Sequence, residues 1–473
     1  LCQQEMGSKK KMGYKCRIAG VMLLLIGSIA ALVVVAVVQD KLKFGIVIDS
    51  GSSRSNVYLY EWPGEKENET GVCNPNEFGV SSKEDEKTFK GFQDCMDEIK
   101  SHIPGEKHKT TPLFLGATAG MRLLEMKDEK RANKIMGKLR DFLNKQNFQF
   151  HNASIITGQE EGLFGWITVN YLKENFLEVR LEKTVGSMDL GGASTQIAFQ
   201  VQEHGEGPDY MRVKLYGYPY TVYTHSFLCY GKNEADKRVL DKESSDPAYV
   251  INPCYPKGFN TTIKASSIYD TECIPKPKNY NSGQEFYMVG GSDSEKCGEI
   301  VKSIFNFQNC SSKQCSFNGV EQPPVTGHFM AYAGFFFIAR ALELSGKSDL
   351  DEFKIAVGNF CNSDWLKVQK RRISEEYLKT YCFASHYVLT LLADGYKFDN
   401  ETWKNIHFEQ KIKETSIGWS LGYMLSMSNM IPSEVKEITP MTNPVFAGLI
   451  FLFSALIIVT AVLGFIILIR TCY

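Results

Sequence analysis

The chain has 473 residues, with 53 Lys and Arg against 54 Asp and Glu and a formal net charge of −1. A balanced charge without a long basic run excludes a nucleic-acid partner held by phosphate neutralisation. The length accommodates two or three domains, and 13 cysteines point to an oxidising compartment for most of the chain.

The opening Leu-Cys-Gln-Gln-Glu reads as an extension ahead of a natural start at Met6. Residues 1–17 carry Lys9, Lys10, Lys11, Lys15 and Arg17, and residues 18–38 are uncharged over about one bilayer thickness. The positive-inside rule makes 1–17 cytoplasmic and 18–38 a signal-anchor span. A second apolar run, 445–469, returns residues 470–473 to the cytoplasm. Everything between is expected outside the cell or in an equivalent lumen. Ten cysteines fall in that loop (Cys73, Cys95, Cys229, Cys254, Cys273, Cys297, Cys310, Cys315, Cys361 and Cys382), an even number suited to disulfides. Five glycosylation sequons, at Asn68, Asn152, Asn260, Asn309 and Asn400, fall there too. Zinc is excluded, because no Cys-x-x-Cys pair and no histidine stand at ligand spacing.

The loop divides into a first lobe over 44–156, a second over 157–410 and a return segment over 411–437. In the first, Phe-Gly-Ile-Val-Ile-Asp49-Ser-Gly51-Ser52-Ser53 runs on into Asn-Val-Tyr-Leu-Tyr. This is an apolar strand, an Asp, a tight turn of small residues and a second strand. A Lys/Glu-rich segment over 64–92 follows, then a helix over Phe92–His102, a strand over Pro112–Gly116 and a helix from Ala119 to Asn144. A strand over Ser154–Thr157 leads to a helix from Glu160 to Asn175. The second lobe takes in Met-Asp189-Leu-Gly191-Gly192-Ala193-Ser194-Thr-Gln196, which repeats the first turn. Helices are expected near Phe329–Leu344, Ser374–Leu392 and 416–431. Alternating strands and helices make the class α/β.

A turn of glycine and hydroxylic residues lets backbone N–H groups close around a phosphate, and an Asp at the strand end can hold a divalent cation through waters. One copy reads equally as an ordinary hairpin; two copies point to a polyphosphate gripped from both sides. Thr118 and Arg122 open a helix straight after a strand, where an anion is favoured, although a plain turn with a surface arginine is equally consistent. Thr157 and Glu160 have capping-box spacing. Glu161, free of that duty and flanked by glycines that keep its surroundings open, is the candidate base for an attacking water.

Five segments then resemble, in order, the apyrase regions of the ecto-nucleoside triphosphate diphosphohydrolases: 49–53, 116–122, 158–162, 189–195 and 419–425. The resemblance implies two ribonuclease-H-like lobes of the actin and sugar-kinase ATPase superfamily. It implies Ca²⁺- or Mg²⁺-dependent hydrolysis of extracellular nucleoside tri- and diphosphates at the plasma membrane, tuning purinergic signalling. By position, Glu161 is the base, and Asp49, Asp189 and Trp419 lie at the metal through waters. Ser52, Ser53, Thr118, Arg122, Gly191, Gly192, Ala193, Ser194 and Gln196 surround the phosphates. Phe336 and Tyr377 fall near the base, although both also read as aromatics on a helix face. The implied bridges are Cys73–Cys95, Cys229–Cys273, Cys254–Cys297, Cys310–Cys315 and Cys361–Cys382. The chain departs from the family at Ser50, where alanine is common, and in a short Cys73–Cys95 segment. Partners are the nucleotides, the bilayer and a second copy through the spans. A polyphosphate phosphatase, or an inactive glycosylated receptor, is the competing reading.

Overall fold

The computed structural model describes residues 21–32, 42–52, 54–63, 66–67, 70–71, 74–80, 85–176, 184–202, 205–243, 249–308, 314–344, 346, 348–371, 373–428 and 443–472. Ser53, Cys73, Cys310, Asn68 and Asn309 therefore lie outside the described residues. Residues 44–60 and 67–431 form one compact unit; the terminal segments with 61–66 form another.

In the terminal unit, the helix Asn443–Cys472 carries a 22-residue apolar stretch, Val445–Ile466, of mean hydropathy 2.9. It is long and apolar enough to cross a membrane. Val21–Leu32 is a shorter apolar helix, and the rest of the first expected span lies outside the described residues. Among the described residues, one helix rather than two reaches spanning length.

The larger unit holds two principal sheets. The first contains β1 (Leu42–Ser50), β2 (Ser55–Pro63), β3 (Asn74–Val80), β4 (Pro112–Ala117) and β5 (Gln149–Ile155), in the order β3-β2-β1-β4-β5. The second contains β6 (Gly186–Leu190), β7 (Ser194–Gln200), β8 (Tyr210–Leu215), β9 (Tyr218–Leu228), β10 (Phe329–Ala333) and β11 (Ile406–Phe408), in the order β8-β9-β7-β6-β10-β11. In each, a first strand lies between its hairpin partner and a parallel strand that arrives by crossover: β1 pairs with β4, and β6 with β10. The sequence repeat at Asp49 and Asp189 is thus a repeat of topology, and both aspartates stand at the carboxyl end of a central strand. Open α/β sheets place ligands at that end.

One face of the first sheet packs Ile46, Ile48, Leu113 and Leu115 against α1 (Asp85–His102) and α3 (Glu129–Asn144). The expected 119–144 helix is two helices, α2 (Ala119–Lys127) and α3, because the Asp128 side chain caps α3 by accepting from Arg131 N. Within the Lys/Glu-rich segment, β3 and the start of α1 are regular elements. Cys95, on the inner side of α1 beside Phe92, Met96 and Ile99, is a free thiol 5 % exposed. Burial pushes its pKa up to about 11. Cys73, the partner implied for it, lies outside the described residues.

Two helices lie between the sheets. One is α4 (Gly158–Leu172), buried around nearly its whole circumference, as expected of an internal helix without a polar stripe. The other is α5 (Trp419–Ser428), and Thr168 Oγ1 ties them by donating to Gly418 O and accepting from Gly422 N, at 2.6 and 2.8 Å. Tyr423 of α5 packs edge-on against Phe114 of β4 and Phe164 of α4. The glycines of α4 do not keep its surroundings open, as the sequence suggested. A Cβ on Gly158, Gly162 or Gly165 would stand 2.2–2.3 Å from Ser226, Thr224 or Tyr332, so these positions let the second sheet come into direct contact with the helix.

The expected Phe329–Leu344 helix is instead β10 followed by α6 (Gly334–Ala341). A continuous apolar run does not distinguish buried strand from helix, and Ala333 (φ 52°) makes the corner. The 374–392 helix is a short turn, Glu375–Leu378, followed by Tyr381–Thr390. The bridges Cys229–Cys273, Cys254–Cys297 and Cys361–Cys382 are formed, and Cys315 is also disulfide-bonded. Cys297, Cys382 and His386 cluster at metal-ligand distance, but both sulfurs are already in bridges.

Candidate active site

The two turns and α4 meet around a cleft of about 880 Å³, within the range of small-molecule sites. Asp49, Ser52, Thr118, Glu161, Asp189, Gly191, Gly192, Ala193, Ser194, Tyr377 and Trp419 line it. The turns are built alike: Gly51 N donates to Arg54 O at 2.9 Å and Gly191 N to Ser194 O at 3.0 Å. Thr118 N donates to Ser50 O at 3.1 Å, which brings the start of the α2 segment to the first turn.

Thr157 and Glu160 form the capping box that their spacing predicts. Glu160 N donates to Thr157 Oγ1 at 3.1 Å, and Thr157 N donates to Glu160 Oε2 at 2.8 Å. Glu161, 9 % exposed, turns instead to the cleft and forms an ion pair with Arg122. Gln196 Nε2 donates to Glu161 Oε2 at 3.0 Å, to Ser194 Oγ at 2.7 Å and to Ser226 Oγ at 3.0 Å. Arg122 and Gln196 are not among the cleft-lining residues. They hold Glu161 and Ser194.

Burial raises the pKa of Glu161, and Arg122 opposes the rise. Burial and the Glu161 charge push Asp49 up to about 7, while Trp419 and Arg54 act in the opposite direction. Asp189 is raised well above the usual carboxylate range by burial, Glu161 and Asp49. Glu161 raises the pKa of both aspartates and Asp49 that of Asp189, so the three carboxylates form a site short of positive charge. The indole N–H of Trp419 is near enough to lower the Asp49 pKa, yet it is buried without a hydrogen bond of ordinary geometry. Oxygen ligands and an unmet donor suit a hydrated divalent cation.

Some cleft residues carried no signal in the sequence. Phe337, not Phe336, lines the cleft together with Arg340 and Ala341; the three share a helix face by i, i+3, i+4 spacing, and a one-residue error of phase loses it. Lys232 also lines the cleft, donating to Thr380 Oγ1 at 3.0 Å, and burial lowers its pKa. Ser226 comes from mid-strand in β9, where no spacing marked it. His225 Nδ1 lies 2.8 Å from Asp209 Oδ2, and Gln159 Nε2 donates to Asp209 Oδ1 at 3.1 Å. This joins β9 to the first turn of α4.

The GDA1/CD39 (nucleoside phosphatase) family model matches residues 35–440, and the chain belongs to that family. It is 43% identical over 470 residues to human ectonucleoside triphosphate diphosphohydrolase 3, covering 92% of this chain and 89% of the relative. It is 38% identical over 478 residues to mouse ectonucleoside triphosphate diphosphohydrolase 1, covering 94% of each. A crystal structure of nucleoside triphosphate hydrolases from Neospora caninum shares the fold. Its TM-score is 0.55 at 16% identity, over 82% of this chain and 93% of that one.

Proposed function

We propose that the chain hydrolyses extracellular nucleoside tri- and diphosphates to monophosphates, in a body built of two ribonuclease-H-like lobes of the actin and sugar-kinase ATPase superfamily. The observation that carries this reading is the convergence on a single cleft of two Asp-containing turns and one glutamate that takes no part in the helix cap. The family, and relatives named as diphosphohydrolases, support it.

Asp49, Asp189 and Trp419 would hold Ca²⁺ or Mg²⁺ through waters, and the ion would supply the positive charge that phosphate oxygens need on entering a site of three carboxylates. The backbone amides and hydroxyls of the two turns, with Thr118, bind the terminal phosphates. Glu161 accepts a proton from a water in line with the terminal phosphorus; the new P–O bond forms as the bridging P–O bond breaks, releasing phosphate. Arg122 opposes the rise that burial gives the Glu161 pKa, and Gln196, itself bonded to Ser194, fixes the orientation of Glu161. Phe337 and Tyr377, 43% and 54% exposed, offer faces on which a nucleobase can stack. The C-terminal apolar helix, with the shorter N-terminal one, anchors the chain in the membrane with its catalytic body outside.

Intact cells displaying the chain test this. Phosphate should appear in the medium from ATP and from ADP, stop with a chelator and return with Ca²⁺ or Mg²⁺. Absence of phosphate release with either cation present, at confirmed surface expression, would overturn the reading.

A further inference from the structure

The sequons play no part in the cleft. Of the described acceptors, Asn152, Asn260 and Asn400 are all exposed, and Asn260 stands in a small sheet with a distinctive outer face. That sheet has the order Val250–Asn252, Glu285–Gly290, Asn260–Lys264. Its inner face buries Val250, Phe286 and Met288 against Leu240 and Ile268. The register places Ile251 beside Val289, and Val289 beside Asn260. In the next row Tyr287 stands beside Thr262, and Tyr249 meets Tyr287 with ring centroids 6.1 Å apart. The acceptor asparagine and the hydroxyl residue of its sequon thus share one face with an apolar group. In that group Tyr249 is 52%, Ile251 62% and Tyr287 41% exposed.

Contiguous exposed apolar surface on a short sheet with two open edges invites association. A sugar ring has an apolar C–H face that packs on aromatic rings, and diagonal neighbours across a strand pair lie about 7 Å apart, within reach of the first sugar on an asparagine. We propose that a glycan on Asn260 lays its first N-acetylglucosamine over Val289 and Tyr287, toward Ile251, and closes this face to solvent. The proposal rests on the extracellular placement above. In the modification, the Asn260 amide nitrogen forms a bond to C1 of an oligosaccharide carried on a lipid pyrophosphate. It loses one proton, and the lipid pyrophosphate leaves.

The test uses the full chain from cells that glycosylate. Glycopeptide mass spectrometry should find Asn260 occupied. Trimming to a single N-acetylglucosamine should leave the melting temperature unchanged. Asn260→Gln should lower it by about 2 °C and raise the binding of an apolar dye. Thr262→Val, which removes the acceptor signal and keeps Asn260, should do the same. In a Tyr287→Ser background both losses should largely vanish. Equal losses with and without Tyr287 would overturn the proposal. So would an unoccupied Asn260 beside occupied Asn152 and Asn400, leaving the extracellular placement intact. If all three are unoccupied, that placement fails as well.

Discussion

The two turns are nearly the same structure held in different ways. Each closes with a glycine N–H donating three residues ahead, and in each a Cβ on that glycine would lie 3.2 Å from the accepting carbonyl. The first turn leans on one strand–helix junction, through Thr118 N to Ser50 O, and leaves Ser52 exposed. The second is fixed from outside: Gly191 O, Gly192 O and Ala193 O accept from Lys232 N, Asn233 N and Cys229 N at 2.8–2.9 Å. Cys229 is itself stapled to Cys273. Among the described residues, the second turn is the one held by backbone hydrogen bonds from a distant segment, while the first, whose Ser53 lies outside them, is tied through Thr118 and packs Ser52 closely on Gly120.

The largest effect should come from disturbing what fixes the second turn. A Cβ on Gly231 would lie 2.3 Å from Ala193 N and 2.4 Å from Gly192 C, backbone atoms that cannot move without shifting the turn. Gly231→Ala should cost about 3 kcal/mol and most of the activity, whereas Gly51→Ala should leave the fold intact. Thermal melting and phosphate release on both variants check this; equal tolerance would break the contrast between the turns.

Next in size is a pH effect that depends on the cation. Asp49 rises from 3.8 to about 7 in the folded chain, so the folded state keeps a proton that the unfolded chain gives up. That contribution to stability is fully present below the unfolded value and is lost as pH rises through about 7. With chelator, the melting temperature should fall between about pH 5 and about pH 8. With Ca²⁺ or Mg²⁺ the fall should be smaller or reversed, because ionised carboxylates bind the cation. A chelated protein that gains stability over this interval would contradict the raised carboxylate.

The smallest effect separates the serines. Ser194, 2% exposed, accepts from Gln196 and Arg122, so Ser194→Ala should cost about 1–3 kcal/mol by leaving buried donors unmet. Ser52→Ala should change stability by less than about 0.5 kcal/mol and act on the KM for nucleotide alone. Equal destabilisation would show the first turn to be as firmly held as the second.

The sequence carried whatever is local. Each turn was legible because an Asp, small residues and two flanking strands are written consecutively, and the capping box because Thr157 and Glu160 are three residues apart. What supports those elements comes from far along the chain and leaves no local mark. Ser226 reaches Gln196 across a strand pairing, and Gly231 matters for its contact with a turn some forty residues earlier. Phe337 was missed by one residue of helical phase. The glycines of α4 were misread because a gap in a sequence pattern does not say whether solvent or another strand fills it.

The central claim is that Glu161 takes the water's proton while its neighbour Glu160 only caps the helix. Steady-state hydrolysis of ATP and ADP by Glu161→Gln and Glu160→Gln, with surface expression and nucleotide binding measured alongside, tests it directly. Glu161→Gln should lose about 10²–10⁴ in rate with binding retained, and Glu160→Gln should stay near wild type because glutamine also serves in a capping box. A dead Glu160→Gln beside a live Glu161→Gln would contradict the account.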